Sequence, residues 1–149
     1  MRVPLRGLAV LAVAASSAGW PLQAADSDRR ALEAIYDATG GPQWTESANW
    51  KSSAPLSEWQ GVLTDPAGRV IELGLSAKNL TGVIPAALGQ LTELRWLYLS
   101  LNSLSGPLPR ELANLVNLSV LSASSNSLEG PIPAWLGSMA SLRVLQLQE

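Results

Sequence analysis

Leu94, Leu118 and Leu142 stand 24 residues apart, with Val70 one period earlier, and stacking the chain in that register aligns most of its second half. Successive copies share Leu73, Leu97, Leu121 and Leu145, then Leu75 and Leu99 with Ala123 in third place, then Leu80, Leu104 and Leu128. The same stacking aligns Gly82, Gly106 and Gly130, Ile84, Leu108 and Ile132, Pro85, Pro109 and Pro133, Leu88, Leu112 and Leu136, and Leu91, Leu115 and Met139. A register held this long without an insertion marks an array of identical coils, because chance similarity drifts out of phase within one or two periods. No single unit of this size can bury its own apolar face, so stability has to come from contact between neighbours.

Each element of the unit has a physical task. In Leu97-Tyr98-Leu99 two apolar side chains leave one face of a short strand and the residue between them leaves the other. Asn102 and Asn126 fall where the chain turns off the strand, and their amides both donate to and accept from backbone groups buried by stacking. Position 78 carries Lys, a donor only, so this amide ladder is expected to weaken at the first unit. The repeating glycine permits a bend and the following proline fixes an extended step.

The repeats occupy 70–149, as 70–93, 94–117, 118–141 and a partial 142–149. Residues 1–25 read as a signal peptide: Arg2 and Arg6 precede an apolar run from Gly7 to Ala15, with cleavage expected somewhere from residue 19 to 26. Removing its two arginines moves the net charge from −2 to −4, which argues against nucleic acid as a partner. Cysteine is absent, so packing alone must hold an exported chain together.

Residues 26–69 read as an amino-terminal cap. Asp26, Ser27 and Asp28 offer N-cap oxygens to a helix over 28–38, with Leu32, Ile35 and Tyr36 on one face and Gly40-Gly41-Pro42 as its stop. Trp44, Trp50 and Trp59 supply the large apolar groups that a cap without disulfides needs. Trp59 to Thr64 reads as a strand, and the turn Asp65-Pro66-Ala67-Gly68 joins it to Arg69–Leu75 as a hairpin.

The unit Leu-x-x-Leu-x-Leu-x-x-Asn-x-Leu-x-Gly-x-Ile-Pro resembles the plant-specific class of leucine-rich repeats over residues 70–149. The segment before it resembles the cap domain of plant receptor-like kinases and polygalacturonase inhibitors, through its helix, its tryptophans and Trp59-Gln60-Gly61-Val62. It departs where that family carries cysteines flanking this motif, since Ser57 and Thr64 hold those places. A cysteine-less cap with Tyr36-Asp37-Ala38-Thr39-Gly40-Gly41 and Trp44 is similar to versions in bacterial and algal repeat proteins, which points to a bacterial source. The resemblance implies an α/β repeat fold: a right-handed solenoid, a short-stranded parallel sheet on its concave face, and a helix plus β-hairpin cap. It also implies recognition of proteins, peptides or glycans, and the signal peptide adds the expectation of a secreted or cell-surface location, or of the periplasm in a bacterial source.

Chemistry is sought in vain. Without histidine or cysteine there is no usual base for a nucleophile and no usual metal ligand set. The cap carboxylates Asp26, Asp28, Glu33, Asp37, Glu46, Glu58 and Asp65 show no spacing that selects a catalytic pair, so neither enzyme activity nor a cofactor is expected. Strand alternation instead nominates outward columns: Glu72, Trp96, Val120 and Val144; Gly74, Tyr98, Ser122 and Gln146; and, beyond the strand, Ala77, Leu101, Ser125 and Glu149. From these, Glu72, Trp96, Tyr98, Leu101, Val120, Ser122, Val144 and Gln146 form the expected site for a protein or peptide ligand. Two alternatives stand beside it: a glycan site built on the cap tryptophans, and a purely structural fragment of a longer repeat protein, suggested by Leu142, Leu145 and Leu147 on an uncovered edge.

Overall fold

In the computed structural model, which describes residues 19–148, the stacked leucines become adjacent rungs. Strands β2 (Val70–Gly74), β4 (Trp96–Tyr98), β6 (Val120–Ser122) and β8 (Val144–Gln146) run parallel, with Leu73 beside Leu97, Leu97 beside Leu121 and Leu121 beside Leu145. The first three of these leucines are wholly buried. Each such burial stabilises by about 1.5–3 kcal/mol. At Leu145 the exposure rises to 38%, and Ile132 is 72% exposed where Ile84 is buried. The last coil described therefore presents its interior, as a cleft of about 420 Å³ lined by Leu108, Leu128, Ile132, Leu145 and Leu147.

After each strand the chain turns at the asparagine position. The Asn102 Oδ1 accepts from the N–H groups of Lys78 and Leu80, each at 3.0 Å, and its Nδ2 donates to the carbonyls of Leu75 and Leu99 at 2.8 and 2.9 Å. Asn126 repeats the pattern one coil on, accepting from Leu104 and donating to Leu99 and Ala123. At the first coil Lys78 leaves the ladder as expected. Its Nζ pairs with Glu46 of the cap, and its carbonyl accepts from the Thr45 N–H at 2.9 Å. Each coil then returns through a short 3-10 helix, Ala86–Gln90, Arg110–Asn114 or Ala134–Ser138. The first two pack so closely that a methyl group at Gly89 would strike the Glu111 carbonyl.

A second parallel sheet, absent from the sequence expectations, joins β3 (Thr81–Val83), β5 (Ser103–Gly106) and β7 (Ser127–Leu128). The repeating glycine sits inside or beside these strands at φ 78°, 71° and 90°, which only glycine adopts without strain.

The cap corrects two expectations. Helix α1 spans Gly19–Ala38, not 28–38. Asp26, Ser27 and Asp28 consequently lie inside the helix and not at its start. Asp28 is wholly buried and spends its carboxylate on the repeats: it accepts from Arg69 Nε at 2.9 Å, from a second Arg69 nitrogen at 3.1 Å, and from the Val70 N–H at 2.9 Å. This hydrogen-bonded pairing raises the Arg69 pKa above its ordinary value. The signal-peptide expectation falls largely on residues 1–18, outside those described, while residues 19–25 continue into α1.

The second correction concerns the hairpin strand, which is β1 (Val62–Thr64) and not Trp59–Thr64. Trp59 instead follows the 3-10 turn Leu56–Glu58, where its N–H bonds to the Leu56 carbonyl. β1 pairs antiparallel with β2 and so covers the near edge of the five-stranded sheet β1-β2-β4-β6-β8. Among the described residues no helix is long and apolar enough to cross a membrane.

Candidate functional site

The register of the five-stranded sheet assembles the nominated columns. Glu72 lies beside Trp96, Trp96 beside Val120 and Val120 beside Val144; Gly74, Tyr98, Ser122 and Gln146 form the next row. Rungs about 4.8 Å apart put Trp96 and Val144 roughly 10 Å from each other. Glu72, Trp96, Tyr98 and Val120 are half-buried, Val144 and Gln146 are exposed, and Leu101 is 63% exposed. Trp96, Val120 and Val144 thus make one apolar row across three coils.

Ser122 departs from its expected exposure and is buried. Its hydroxyl donates to Gln146 Oε1 at 2.7 Å and meets the Ser100 hydroxyl at 2.8 Å, while the Ser124 hydroxyl donates to Ser100 at 3.0 Å. A hydroxyl has one hydrogen, so these contacts fix a direction: Ser124 to Ser100, Ser100 to Ser122, Ser122 to Gln146. Sequence reasoning missed Ser100 and Ser124. The signal was the alternation itself, which continues from 96 and 98 to 100 and not to 101.

Position 101 is instead where the chain bends. Ala77, Leu101 and Ser125 all adopt left-handed backbone, at φ 55°, 59° and 53°. An L-residue pays roughly 1–2 kcal/mol for that conformation. Here the hydrogen bonds from their N–H groups to Ser100, Ser124 and Gln148 hold it, at 3.0, 3.0 and 2.8 Å. Leu101 is thereby presented as an exposed apolar side chain at the border of the hydroxyl row.

The cap tryptophans have another role. Trp44, Trp50 and Trp59 are buried, and with Tyr36 they form a chain of ring contacts at 4.8–5.9 Å. Their indole N–H groups donate to the carbonyls of Thr39, Gln60 and Ala54, and Arg29 lies over the Trp59 ring at 5.0 Å. Buried on these terms, the rings form the cap core and offer no face on which a sugar could stack. Ser57 and Thr64, at the places where the related caps carry cysteine, line one cleft of about 420 Å³ with Asp26 and Arg29.

Comparison with known proteins agrees with this geometry. Residues 69–128 match the family model described as leucine rich repeat. Phytosulfokine receptor 2 of Arabidopsis thaliana is 43% identical over 77 residues, which are 50% of this chain and 7% of the receptor. The chain spans only a small part, 7–18%, of the curated relatives it matches. Among solved structures, that of PEPR1-AtPEP1 superposes with a TM-score of 0.73 at 27% identity, covering 83% of this chain and 18% of that one. A plant ice-binding protein superposes with a TM-score of 0.57 at 30% identity, over 83% of this chain and 48% of that one. With the repeat register, the asparagine ladder and the capped parallel sheet all present, residues 70–148 form a leucine-rich-repeat solenoid similar to the plant-type repeats of these proteins.

Proposed function

We propose that the chain is an exported recognition module that binds a protein or peptide on the concave face of the five-stranded sheet. One observation carries this reading: Trp96, Val120 and Val144 form an apolar, partly exposed row, with Tyr98 in the adjoining hydroxyl and amide row and Leu101 exposed at the far border of that row. Interfaces combine large aromatic anchors with adjacent polar groups in this way. The similarity to a receptor and to the PEPR1-AtPEP1 structure supports the same class of partner. The leucines behind the sheet are spent on the core, and Trp96, Tyr98 and Val144 remain at the surface to serve a ligand.

The test is selection of linear peptides from a random displayed library on the whole chain. Peptides so obtained are expected to lose binding to the Trp96→Ala/Tyr98→Ala variant and to keep it for Val116→Ala, which changes an exposed side chain in the loop after the 3-10 helix Arg110–Asn114. Equal affinity for the double variant and the wild type would place the site elsewhere. The ice-binding neighbour motivates a second reading, in which the exposed serines Ser103 and Ser127 of the second sheet contact a regular surface. Thermal hysteresis of the purified chain, abolished by Ser103→Tyr and untouched by Trp96→Ala, would favour that reading over the first.

A further inference from the structure

The charges around the sheet are sorted. From Leu94 to Gln148 the chain holds Arg95, Arg110 and Arg143 against Glu111 and Glu129. Arg110 and Glu111 belong to a 3-10 helix at the far side of the coil, and Glu129 follows β7 of the second sheet. Arg95 and Arg143 alone border the five-stranded sheet, each immediately before its strand.

These two arginines occupy equivalent places two rungs apart, with Ser119 between them. The Ser119 N–H donates to the Arg95 carbonyl at 2.8 Å, and the Arg143 N–H to the Ser119 carbonyl at 2.9 Å, so the three residues stack as one column. Their Cα atoms are about 10 Å apart by rung spacing, within reach of two guanidiniums converging on a single anion above Ser119. Both side chains are exposed, and neither has an acceptor among the described residues. The contrast with the cap side is sharp: the ion pairs Lys51–Asp37, Arg69–Asp28 and Lys78–Glu46 all lie there. Glu93, the carboxylate nearest to Arg95 in sequence, is half-buried and lies 3.5 Å from Asn117 Nδ2. Glu72 marks the cap end of the apolar row, so an anionic group is favoured only toward the later coils.

Three parallel stripes thus cross the strands: a basic one at Arg95 and Arg143, an apolar one at Trp96, Val120 and Val144, and a hydroxyl and amide one ending at Gln146. We propose that the partner is an acidic peptide that runs along the solenoid axis, lays apolar side chains on the middle stripe and places a carboxylate between Arg95 and Arg143. This rests on the reading that the sheet face binds a peptide, and it specifies the chemistry of that peptide. An extended segment advances about 3.3 Å per residue, so some three residues cover the distance from Arg95 to Arg143.

The same displayed-peptide selection tests the proposal. Peptides that the wild type enriches are expected to carry Asp or Glu within three residues of an aromatic or aliphatic side chain, and their affinity to fall as salt is raised. Replacing that acid by its amide in a synthetic peptide should weaken binding to the wild type roughly tenfold or more, and have little effect on binding to Arg95→Ala/Arg143→Ala. Because both arginines are exposed, the double variant should keep the wild-type circular dichroism. Selected peptides without acidic enrichment, or an amide penalty of equal size in the arginine variant, would overturn the acidic partner. If such peptides still needed Trp96 and Tyr98, the peptide-binding face itself would stand. Peptides indifferent to Trp96 and Tyr98, or no enrichment at all, would sink both. Arginine-dependent binding of heparin without any peptide enrichment would likewise overturn the proposal, in favour of an anionic glycan.

Discussion

Asn102 is the side chain on which two neighbouring coils most depend, and its replacement by alanine tests why these coils stack. Four of its contacts are at 3.0 Å or less: two N–H groups of the preceding coil donate to it, and one carbonyl from each of the two coils accepts from it. The fifth, to the Ser100 carbonyl at 3.3 Å, is long enough to set aside. A buried backbone group left without a partner costs about 1–3 kcal/mol. Asn102 is half-buried, so water relieves part of that cost and the lower end applies, giving about 4 kcal/mol for the four groups. Against a total stability of about 5–15 kcal/mol, such a loss separates a folded chain from a marginal one.

Urea denaturation followed by circular dichroism, which reads the whole chain, and by tryptophan fluorescence, dominated by the cap, measures the loss. Asn126→Ala should cost less, because Asn126 accepts from a single N–H, that of Leu104, and lies one coil nearer the exposed end. Asn102→Asp keeps the accepting oxygen but turns a second, charged oxygen toward the carbonyls of Leu75 and Leu99, so it should be no milder than alanine. A shift below about 1 kcal/mol for Asn102→Ala, or an aspartate variant as stable as the wild type, would refute the bridging role.

Two further outcomes separate buried from exposed chemistry in the cap. Asp28→Ala should destabilise by about 3–5 kcal/mol in urea denaturation, because it strands Arg69 and the Val70 N–H, whereas Glu46→Ala, which removes an exposed partner of Lys78, should cost less than about 1 kcal/mol. Equal losses would show that burial does not set the worth of these pairs. Ser57→Cys/Thr64→Cys should close a disulfide across the cleft that both residues line and stabilise by about 2.5 kcal/mol in the chain-entropy model. Coincident unfolding of the oxidised and reduced forms would deny that benefit.

What was legible in the sequence, and what was not, follows from how contacts are spaced along the chain. The five-stranded sheet pairs residues one full period apart, Leu73 with Leu97 and Trp96 with Val120, so stacking the repeats displays its core and its outward columns directly. The second sheet pairs Thr81 with Ser103 and Ser105 with Ser127, an offset of 22 and not 24, and an alignment of equivalent positions cannot show it. Asp28 reads locally as a helix cap because the group that claims it, Arg69, lies 41 residues away and outside any repeat. Ser100 and Ser124 were within reach, since they obey the same alternation that found Trp96 and Tyr98. The sequence points to Leu101 and Ser125 instead, because a left-handed bend cannot be told from a continuing strand at a non-glycine residue. Periodic contacts are therefore written in the sequence twice over and the aperiodic ones only once, at the cap. The proposed binding face belongs to the first kind: its residues pair from coil to coil, and Arg95, Ser119 and Arg143 share a column for the same reason that the leucines do.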